Sequence, residues 1–374
     1  MKIGVLTSSR ADFGIYHPLL VKMVNDDFFK ISLIVFGMHM SKKHGLTYKE
    51  IESYGYDIKH KLNIKMEGDS PFHISTLVGD INNQFSLFWK NNKNKFDLVF
   101  CLGDRFEMFA AVISGLPFGI KYVHFHGGET TLGAIDDVYR NSISLASKFH
   151  FTATSNFSKR LNFLLNKKNN IYNIGSLSLD NIKTFKTLSI AELKSLYNID
   201  FDNKTILVTI HPETVDYLNI NKHSKIIIDT LKTISKDFQI IITLPNADTF
   251  GSIVRSLFIS ELKNYKSIFL LENLGKLGYF SALKYCSMLI GNSSSGVIEA
   301  ASFNKYVINV GKRQDGRVKS DNTFDVPFNK ELILNKIEYI KENKYFYSGK
   351  NKYYKKNSVN KVISILKKNN ERGY

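Results

Sequence analysis

The chain has 374 residues, enough for two domains, and its 43% hydrophobic and 23% charged residues are ordinary for a soluble globular protein. No apolar run approaches the length of a membrane span, no signal-peptide pattern precedes the first strand, and Cys101 and Cys286 lie in apolar runs like buried free thiols, so we expect a cytoplasmic protein. The net charge of +17 would suit an anionic substrate, a membrane surface or nucleic acid, but the lysines are spread along the chain without any DNA- or RNA-binding motif, which favours a solvated lysine-rich surface.

Short apolar strands alternate with helices in the first half of the chain. The predicted strands are Ile3–Leu6, Ile31–Phe36, Asp97–Leu102, Lys121–Val123, Phe149–Thr152 and Ile171–Ile174. The clearest predicted helices are Tyr48–Ser53, Pro71–Trp89, Asp137–Ser147 and Ser155–Leu165. This alternation is typical of a parallel, doubly wound sheet.

A second α/β series follows a predicted hinge at Gly175–Ser178. Its predicted strands are Thr205–Ile210, Phe238–Thr243, Ile268–Leu271, Met288–Ile290 and, as the final strand, Tyr306–Val310. Its predicted helices are Ser224–Ile234, Phe280–Cys286, Val297–Ser302, Glu331–Glu342 and Asn357–Lys368. We therefore expect an α/β protein of two Rossmann-like domains facing across a cleft, residues 1–177 and 178–355, with a helix in 356–374 that packs back on the first domain.

Ionisable residues follow two neighbouring strands of the first half. Open α/β sheets bind ligands outside the carboxyl ends of their strands, so these side chains are expected to surround one pocket. They are Asp104, Arg105, His124, His126, Glu129 and Asp136. His124, His126 and Glu129 have a spacing that could bind zinc, with Asp104 as a further ligand, and the alternative is a hydrogen-bond network of the two histidines without metal.

Two features of the strand ends suggest contacts with phosphate. Arg10 lies in the turn after the first strand, where it faces either a phosphate or solvent. The turn Gly291–Gly296 offers serine hydroxyls and backbone N–H groups at the start of a helix, more than capping needs, and Glu299 one turn later can accept bonds from ribose hydroxyls. His211 after a strand is either a ligand contact or a structural turn residue, and neither G-x-G-x-x-G nor a Walker motif is present.

Taken together, these motifs resemble those of one family, the hydrolysing UDP-N-acetylglucosamine 2-epimerases of sialic acid biosynthesis and their relatives in legionaminic acid biosynthesis. The similar stretches occur in the family's order over about the first 320 residues. They are Ser9–Gly14, Gly37–His39, Gly103–Glu107, His124–Glu129, Ala134–Asp137, Asn173–Leu177, His211–Thr214, Asn246–Asp248, Gly291–Glu299 and Arg313–Arg317.

The resemblance implies a glycosyltransferase-B-like fold and the conversion of UDP-N-acetylglucosamine to N-acetylmannosamine and UDP through a glycal, for nonulosonic (sialic) acid biosynthesis. The alternative substrate is UDP- or GDP-N,N'-diacetylbacillosamine, for legionaminic acid. The implied catalytic residues are Asp104, His126, Glu129 and Asp136. The implied substrate-binding residues are Arg10, His39, Arg105, His211, Asn292, Ser293, Ser294, Glu299 and Arg313.

The resemblance also implies an enzyme without a cofactor or metal, acting on a nucleotide sugar as a homo-oligomer, a dimer or tetramer, with no nucleic-acid partner and no membrane insertion. One departure from the family pattern is Asn141, which stands where a histidine commonly follows the arginine. Two other classes remain open from the residues alone. A glycosyltransferase can share the two-domain fold, and a metal-dependent hydrolase could use His124 and His126.

Overall fold

The computed structural model describes residues 1–42, 45–65, 67–166, 169–201, 204–245 and 248–371. The chain forms two compact units. Unit 1 comprises Met1–Glu129, Asp136–Asn181 and Tyr353–Tyr374, and unit 2 comprises Thr130–Ile135 and Ile182–Lys352. The short segment Thr130–Ile135 thus belongs to unit 2 although it lies within the first half of the sequence.

Unit 1 is built on one parallel sheet. Its strands are β1 Lys2–Thr7, β2 Lys30–Val35, β3 His60–Lys61, β4 Leu98–Leu102, β5 Tyr122–Phe125, β6 Ser147–Thr152 and β7 Ile171–Asn173. Its first helices are α1 Arg10–Val24, α2 Tyr48–Ser53, α3 Pro71–Asn92, α4 Phe106–Ile113, α5 Asp136–Leu145 and α6 Ser155–Leu165. The strand order β3-β2-β1-β4-β5-β6-β7 contains the 3-2-1-4-5-6 arrangement of a Rossmann-like sheet.

Unit 2 repeats this architecture. Its strands are β8 Thr205–Thr209, β9 Gln239–Thr243, β10 Ile268–Leu271, β11 Met288–Gly291, β12 Val307–Val310 and β13 Thr323–Val326. Its helices are α7 Ile190–Tyr197, α8 Ile220–Ile234, α9 Gly251–Leu262, α10 Gly275–Tyr285, α11 Ser294–Ile298 and α12 Lys330–Glu342. The order β10-β9-β8-β11-β12-β13 is again 3-2-1-4-5-6, and every pairing is parallel. The fold-class prediction of two Rossmann-like α/β units is therefore confirmed.

Several predictions about individual elements were wrong. The helix predicted at Phe280–Cys286 begins five residues earlier, at Gly275. Tyr306–Val310 is not the final strand, because β13 pairs beyond it at the edge of the sheet. The helix predicted at Val297–Ser302 begins earlier, at Ser294, and is followed by a 3-10 turn from Ala300 to Phe303. The strand predicted to end at Val123 continues to Phe125, so His124 is inside the strand and not beyond it.

The last helix, α13 Ser358–Glu371, returns to unit 1. Its buried residues Val359, Val362 and Leu366 join the apolar cluster formed by β1, α1 and β4. The stretch Gly175–Ser178, predicted as a hinge, is buried in the same unit, where the Ser176 amide donates to the Tyr353 carbonyl at 2.9 Å. Both cysteines are buried free thiols, as the sequence predicts. None of the helices in the described ranges is both long and apolar enough to span a bilayer.

We expect Leu366→Ala to destabilise unit 1 by about 2–5 kcal/mol, because it leaves a cavity beneath α13 where the leucine is fully buried. Trp89, the only tryptophan, is buried in unit 1 on the other face of the sheet, so its fluorescence reports the urea unfolding of this unit. Lys368→Ala, at an exposed position of the same helix, is the matched control. An unchanged Trp89 transition in Leu366→Ala would show that α13 contributes little to unit 1.

Candidate active site

Asp104 is bound to a buried arginine. It follows β4, and its Oδ2 accepts from Nη2 of Arg140 on α5. Nη1 of the same arginine donates to the Glu129 carbonyl at 3.0 Å. Arg140 is only 1% exposed, so its charge needs these acceptors. Arg140 therefore joins two predicted catalytic residues, and the sequence did not assign it this role.

A second arginine supports the same backbone. Nη1 of Arg160 on α6 donates to the Glu129 carbonyl at 2.6 Å, and its Nη2 donates to Asp137 Oδ2 at 3.0 Å. Asp137 also lies 3.4 Å from Nη1 of Arg140. This network of two arginines and one aspartate fixes the chain on either side of the segment that belongs to unit 2.

His126 and Glu129 form a hydrogen-bonded pair. Nδ1 of His126 lies 2.6 Å from Oε1 of Glu129, and both side chains are at least 92% buried. An ionised carboxylate only accepts, so the imidazole Nδ1–H donates to it and Nε2 is the ring nitrogen left for another partner. Nε2 is buried without a hydrogen-bond partner among the described residues. His126 has a φ of +62°, an unusual backbone conformation for a residue other than glycine.

His124, predicted beside them, is occupied internally. Its Nε2 lies 2.9 Å from the Gly103 carbonyl and its Nδ1 lies 3.0 Å from the Ser144 hydroxyl. Nε2–H therefore donates and Nδ1 accepts, and burial lowers the pKa of His124 to about 3. A metal at His124 would have to displace one of these bonds. The neutral ring instead fixes the backbone immediately before Asp104.

Arg105 is held by a neighbour that sequence analysis overlooked. Its guanidinium donates to both carboxylate oxygens of Glu107, at 3.2 Å from Nε and 2.9 Å from Nη2. The Glu107 side chain is fully buried, and a bidentate pair of this kind fixes the plane of the guanidinium. Any contact of Arg105 with a substrate starts from this fixed position. Asp136, at the start of α5, is half-buried, and its charge contributes after burial to the raised pKa of Tyr139.

The first turn places Arg10 at the start of α1. The Asp12 carboxylate accepts from the amides of Ser8 and Ser9 at 2.8 and 2.7 Å and from both hydroxyls, so it closes this turn. His39 is fully buried, and its two ring nitrogens lie 2.9 and 2.7 Å from the hydroxyls of Thr7 and Thr47. Burial lowers the pKa of His39 to about 4. A substrate contact by His39 would replace one of these threonine bonds.

In unit 2, Asn292 holds the loop after β8. Its side chain accepts from the His211 amide at 2.7 Å and donates to the His211 carbonyl at 2.9 Å. The Asn292 side chain is thereby used within the protein. Nδ1 of His211 lies 3.2 Å from Oδ2 of Asp248, and Nη2 of Arg313 lies 3.8 Å from the same oxygen. Two groups predicted to bind the nucleotide thus converge on one carboxylate. Asn246 and Ala247, from the same sequence motif, lie outside the described residues.

The serine turn leads into the short helix α11. The Ser293 hydroxyl caps the helix by accepting from the Ser295 amide at 3.4 Å, and Ser294 begins the helix. Both serines are half-buried, whereas Glu299 is 7% exposed. Lys276 of α10 lies near Glu299: burial lowers the pKa of this lysine to about 8, and the carboxylate opposes the shift. The predicted substrate residues of this turn therefore lie together in unit 2.

The comparisons with known proteins agree with one another. The family described as UDP-N-acetylglucosamine 2-epimerase matches residues 22–367. Polysialic acid biosynthesis protein P7 of Escherichia coli is 32% identical over 98% of this chain and 93% of that protein. The GDP/UDP-N,N'-diacetylbacillosamine 2-epimerase (hydrolyzing) of Campylobacter jejuni is 35% identical over 88% of this chain and 85% of that enzyme.

The solved structures show the same fold. The UDP-GlcNAc 2-epimerase of Neisseria meningitidis, in its complex with UDP-GlcNAc, matches with a TM-score of 0.82 at 17% identity, over 98% of this chain and 100% of that one. This similarity confirms the predicted glycosyltransferase-B-like fold. The family match spans most of the sequence, and the curated relatives include hydrolysing enzymes. The chain therefore belongs to the hydrolysing UDP-N-acetylglucosamine 2-epimerase family.

Proposed function

We propose that this enzyme converts UDP-N-acetylglucosamine to N-acetylmannosamine and UDP, for the biosynthesis of a sialic acid. The observation that carries the proposal is the two pairs of ionisable groups after the adjacent strands β4 and β5, Asp104 with Arg140 and His126 with Glu129. An enzyme that inverts carbon 2 needs such groups, whereas a purely structural protein gains little from buried charge.

The chemistry explains why both acidic and basic groups are needed. The proton on carbon 2 is weakly acidic, so breaking the anomeric C–O bond first, with oxocarbenium character, makes its removal easier. A base then takes this proton and leaves a glycal. Water adds at carbon 1 while an acid delivers a proton to the opposite face of carbon 2. Nearby carboxylates stabilise the positive charge of the first step.

We assign one proton transfer to Nε2 of His126. Glu129 holds the imidazole by Nδ1, which leaves Nε2 as the basic atom, as a buried carboxylate does for a catalytic histidine in hydrolases. Asp104, held by Arg140, is suited to stabilise the oxocarbenium-like charge. Asp104 and Asp136 are the candidates for the proton transfer on the other face.

We place the nucleotide on the residues of unit 2 that the family resemblance implies, which are His211, Ser293, Ser294, Glu299 and Arg313. The convergence of His211 and Arg313 on the Asp248 carboxylate supports an anion site there. A diphosphate would compete with Asp248 for these two partners. Arginine can offer two parallel donors to a phosphate, and such bonds stabilise the leaving group without a metal.

We expect the purified enzyme in deuterated water to release UDP from UDP-N-acetylglucosamine together with N-acetylmannosamine that carries deuterium at carbon 2. Proton NMR detects both products and the missing carbon-2 signal in one experiment. Deuterium appears because the proton delivered to the glycal comes from an exchangeable group. N-acetylmannosamine that retains the original hydrogen would contradict a mechanism with two separate proton carriers.

The same experiment applies to a second substrate, a nucleotide of N,N'-diacetylbacillosamine. The Campylobacter jejuni relative, named for N,N'-diacetylbacillosamine nucleotides, is 35% identical to this chain, slightly above the 32% of the polysialic acid protein. The two sugars differ around carbons 4 and 6, away from the reacting carbons. Turnover of the diacetylbacillosamine nucleotide without turnover of UDP-N-acetylglucosamine would keep the mechanism and transfer the enzyme to legionaminic acid biosynthesis.

The same assay distinguishes a 2-epimerase from the two other classes of enzyme, a glycosyltransferase and a metal-dependent hydrolase. A glycosyltransferase would form no product without an acceptor, and a metal-dependent hydrolase would lose activity with a chelator. The group of possible metal ligands found among the described residues is Glu213, Asp216 and His223, away from His124 and His126 in the sequence. Within this proposal the enzyme works in the cytoplasm as a homo-oligomer, which light scattering would test.

A further inference from the structure

A buried carboxylate next to the predicted nucleotide site has no role in the chemistry above. Glu213 follows His211 and Pro212 in the loop after β8 and is 5% exposed. Its Oε1 accepts from two consecutive amides, those of Lys312 at 2.5 Å and Arg313 at 3.0 Å. One oxygen therefore fixes two backbone groups about one hundred residues away in the sequence.

The turn that contains these two amides has a backbone conformation that leaves space for the carboxylate. Gly311, the residue before the two amides, has a φ of +82°, which favours glycine. A Cβ at this position would overlap Oε1 of Glu213 and the Phe328 ring. Only glycine at position 311 leaves room for the carboxylate. The close approach of Glu213 to the turn therefore depends on Gly311 as well as on the glutamate itself.

The same turn carries Arg313. Its Nη1 donates to the Asn292 carbonyl at 3.1 Å, and Nε2 of the buried Gln314 donates to the same oxygen at 2.7 Å. Glu213 thus fixes the backbone of the turn. The side chains of Arg313 and Gln314 bind the carbonyl of Asn292, whose own side chain holds His211. The position of the Arg313 guanidinium depends on both attachments.

Both loops also hold the segment Thr130–Ile135 within unit 2. The Ile135 amide donates to the Thr214 hydroxyl at 3.0 Å, next to Glu213 in the sequence. The Leu132 amide donates to the Asp315 carbonyl at 3.0 Å, in the turn that Glu213 fixes. Glu213 therefore lies where three segments of unit 2 meet, and a displaced turn would disturb all of them.

We propose that Glu213 is a positioning residue for nucleotide binding, whose carboxylate oxygen fixes the turn at 311–316 so that Arg313 is held ready for the diphosphate. The inference rests on the proposed function, because it takes UDP as the ligand of Arg313. Attraction cannot be the role of Glu213, since a negative charge repels a diphosphate. Burial raises the pKa of Glu213, and the amides of Lys312 and Arg313 oppose this shift. Burying the ionised carboxylate is unfavourable, and its two hydrogen bonds to these amides offset that cost.

The test compares UDP affinity, by titration calorimetry, in variants that separate the position of the oxygen from the charge. Glu213→Gln keeps an oxygen at the same reach without the charge, and we expect the Kd to stay within about threefold of the wild type. Glu213→Asp keeps the charge but shortens the side chain by one methylene, and we expect the Kd to rise roughly tenfold. The opposite order, with glutamine worse than aspartate, would overturn a positioning role.

Arg313 supplies the second arm of the test. Arg313→Ala should weaken UDP binding, and Glu213→Asp should add less than about twofold in the Arg313→Ala background, because the two residues act through one contact. Fully additive losses would mean that Glu213 acts elsewhere and would also overturn the inference. We expect KM to follow the Kd while kcat changes much less, a split that general destabilisation would not produce.

Asp216, three residues from Glu213 and partly exposed, provides the control, and Asp216→Asn is expected to bind UDP like the wild type. If UDP does not bind the wild-type enzyme, the proposed function fails, and the inference fails with it. If UDP binds and Arg313→Ala weakens it while Glu213→Asp does not, the inference alone fails. The two failures are therefore distinguishable.

Discussion

Replacing His126 with alanine is expected to lower kcat by roughly a hundredfold to ten-thousandfold, the usual contribution of a side chain that transfers a proton in the transition state. The buried pair of Nδ1 with Glu129, with Nε2 left as the basic atom, is the reason. UDP affinity should be unchanged, because none of the nucleotide contacts proposed above uses His126. Steady-state release of UDP gives kcat, and calorimetry gives the affinity.

The exposed His73 at the start of α3 is the matched control, and His73→Ala should keep normal turnover. Glu129→Gln tests the pair itself. If Glu129 acts by orienting His126, the double variant His126→Ala with Glu129→Gln should be no slower than His126→Ala alone. A His126→Ala enzyme with kcat within about threefold of the wild type would exclude His126 as a proton carrier.

Replacing Asp104 with asparagine is expected to reduce kcat by a few orders of magnitude, roughly a hundredfold to ten-thousandfold. Asparagine keeps the size of the side chain and one oxygen that can accept from Arg140, so the fold should be preserved. What the variant loses is the negative charge that would face the oxocarbenium-like sugar and the ability to exchange a proton. The measurement is again single-substrate kinetics, with the unfolding transition of Trp89 as the check on folding.

Asp80 is exposed on α3, and Asp80→Asn serves as the charge-matched control for this experiment. Near-normal turnover in Asp104→Asn would rule out Asp104 as an acid, a base or an electrostatic stabiliser. Asp136→Asn then tests the other candidate for the second proton transfer, because near-normal turnover in this variant would exclude Asp136 as the proton carrier.

Much of the fold follows from patterns that are local in the sequence. The helix Ser155–Leu165 was predicted with its observed bounds, since Thr154 caps its start and Asn166 ends it in the left-handed conformation. The helix α7 was overlooked although Ser189 and Glu192 form a capping box, which is a readable signal. The helix α9 has no such cap, and β13 is a short, half-exposed edge strand, so neither shows a strong pattern.

The candidate site was predictable only in part. The sequence predicted that Asp104, His126 and Glu129 are neighbours, because they follow two adjacent parallel strands whose carboxyl ends lie at the same edge of the sheet. The partners Arg140 and Glu107 were not assigned, since an ion pair depends on helix orientation that sequence does not reveal. His124, His39 and Asn292 have the residue types of ligands, yet their polar atoms are used by Ser144, by two threonines and by His211. Residue type alone does not distinguish the two situations.

The interleaved course of the chain affects how the protein is made. Unit 1 needs α13, whose residues are translated after all of unit 2, although the first strand of unit 1 is translated before unit 2. Unit 2 is continuous apart from Thr130–Ile135 and can complete most of its core while unit 1 still lacks its final helix. Synthesis from the N-terminus usually folds the first domain first, but here the second has the earlier opportunity. A truncated chain that ends before Ser358 would leave the apolar residues of α1 exposed to solvent. We expect such a chain to aggregate rather than to form an active protein.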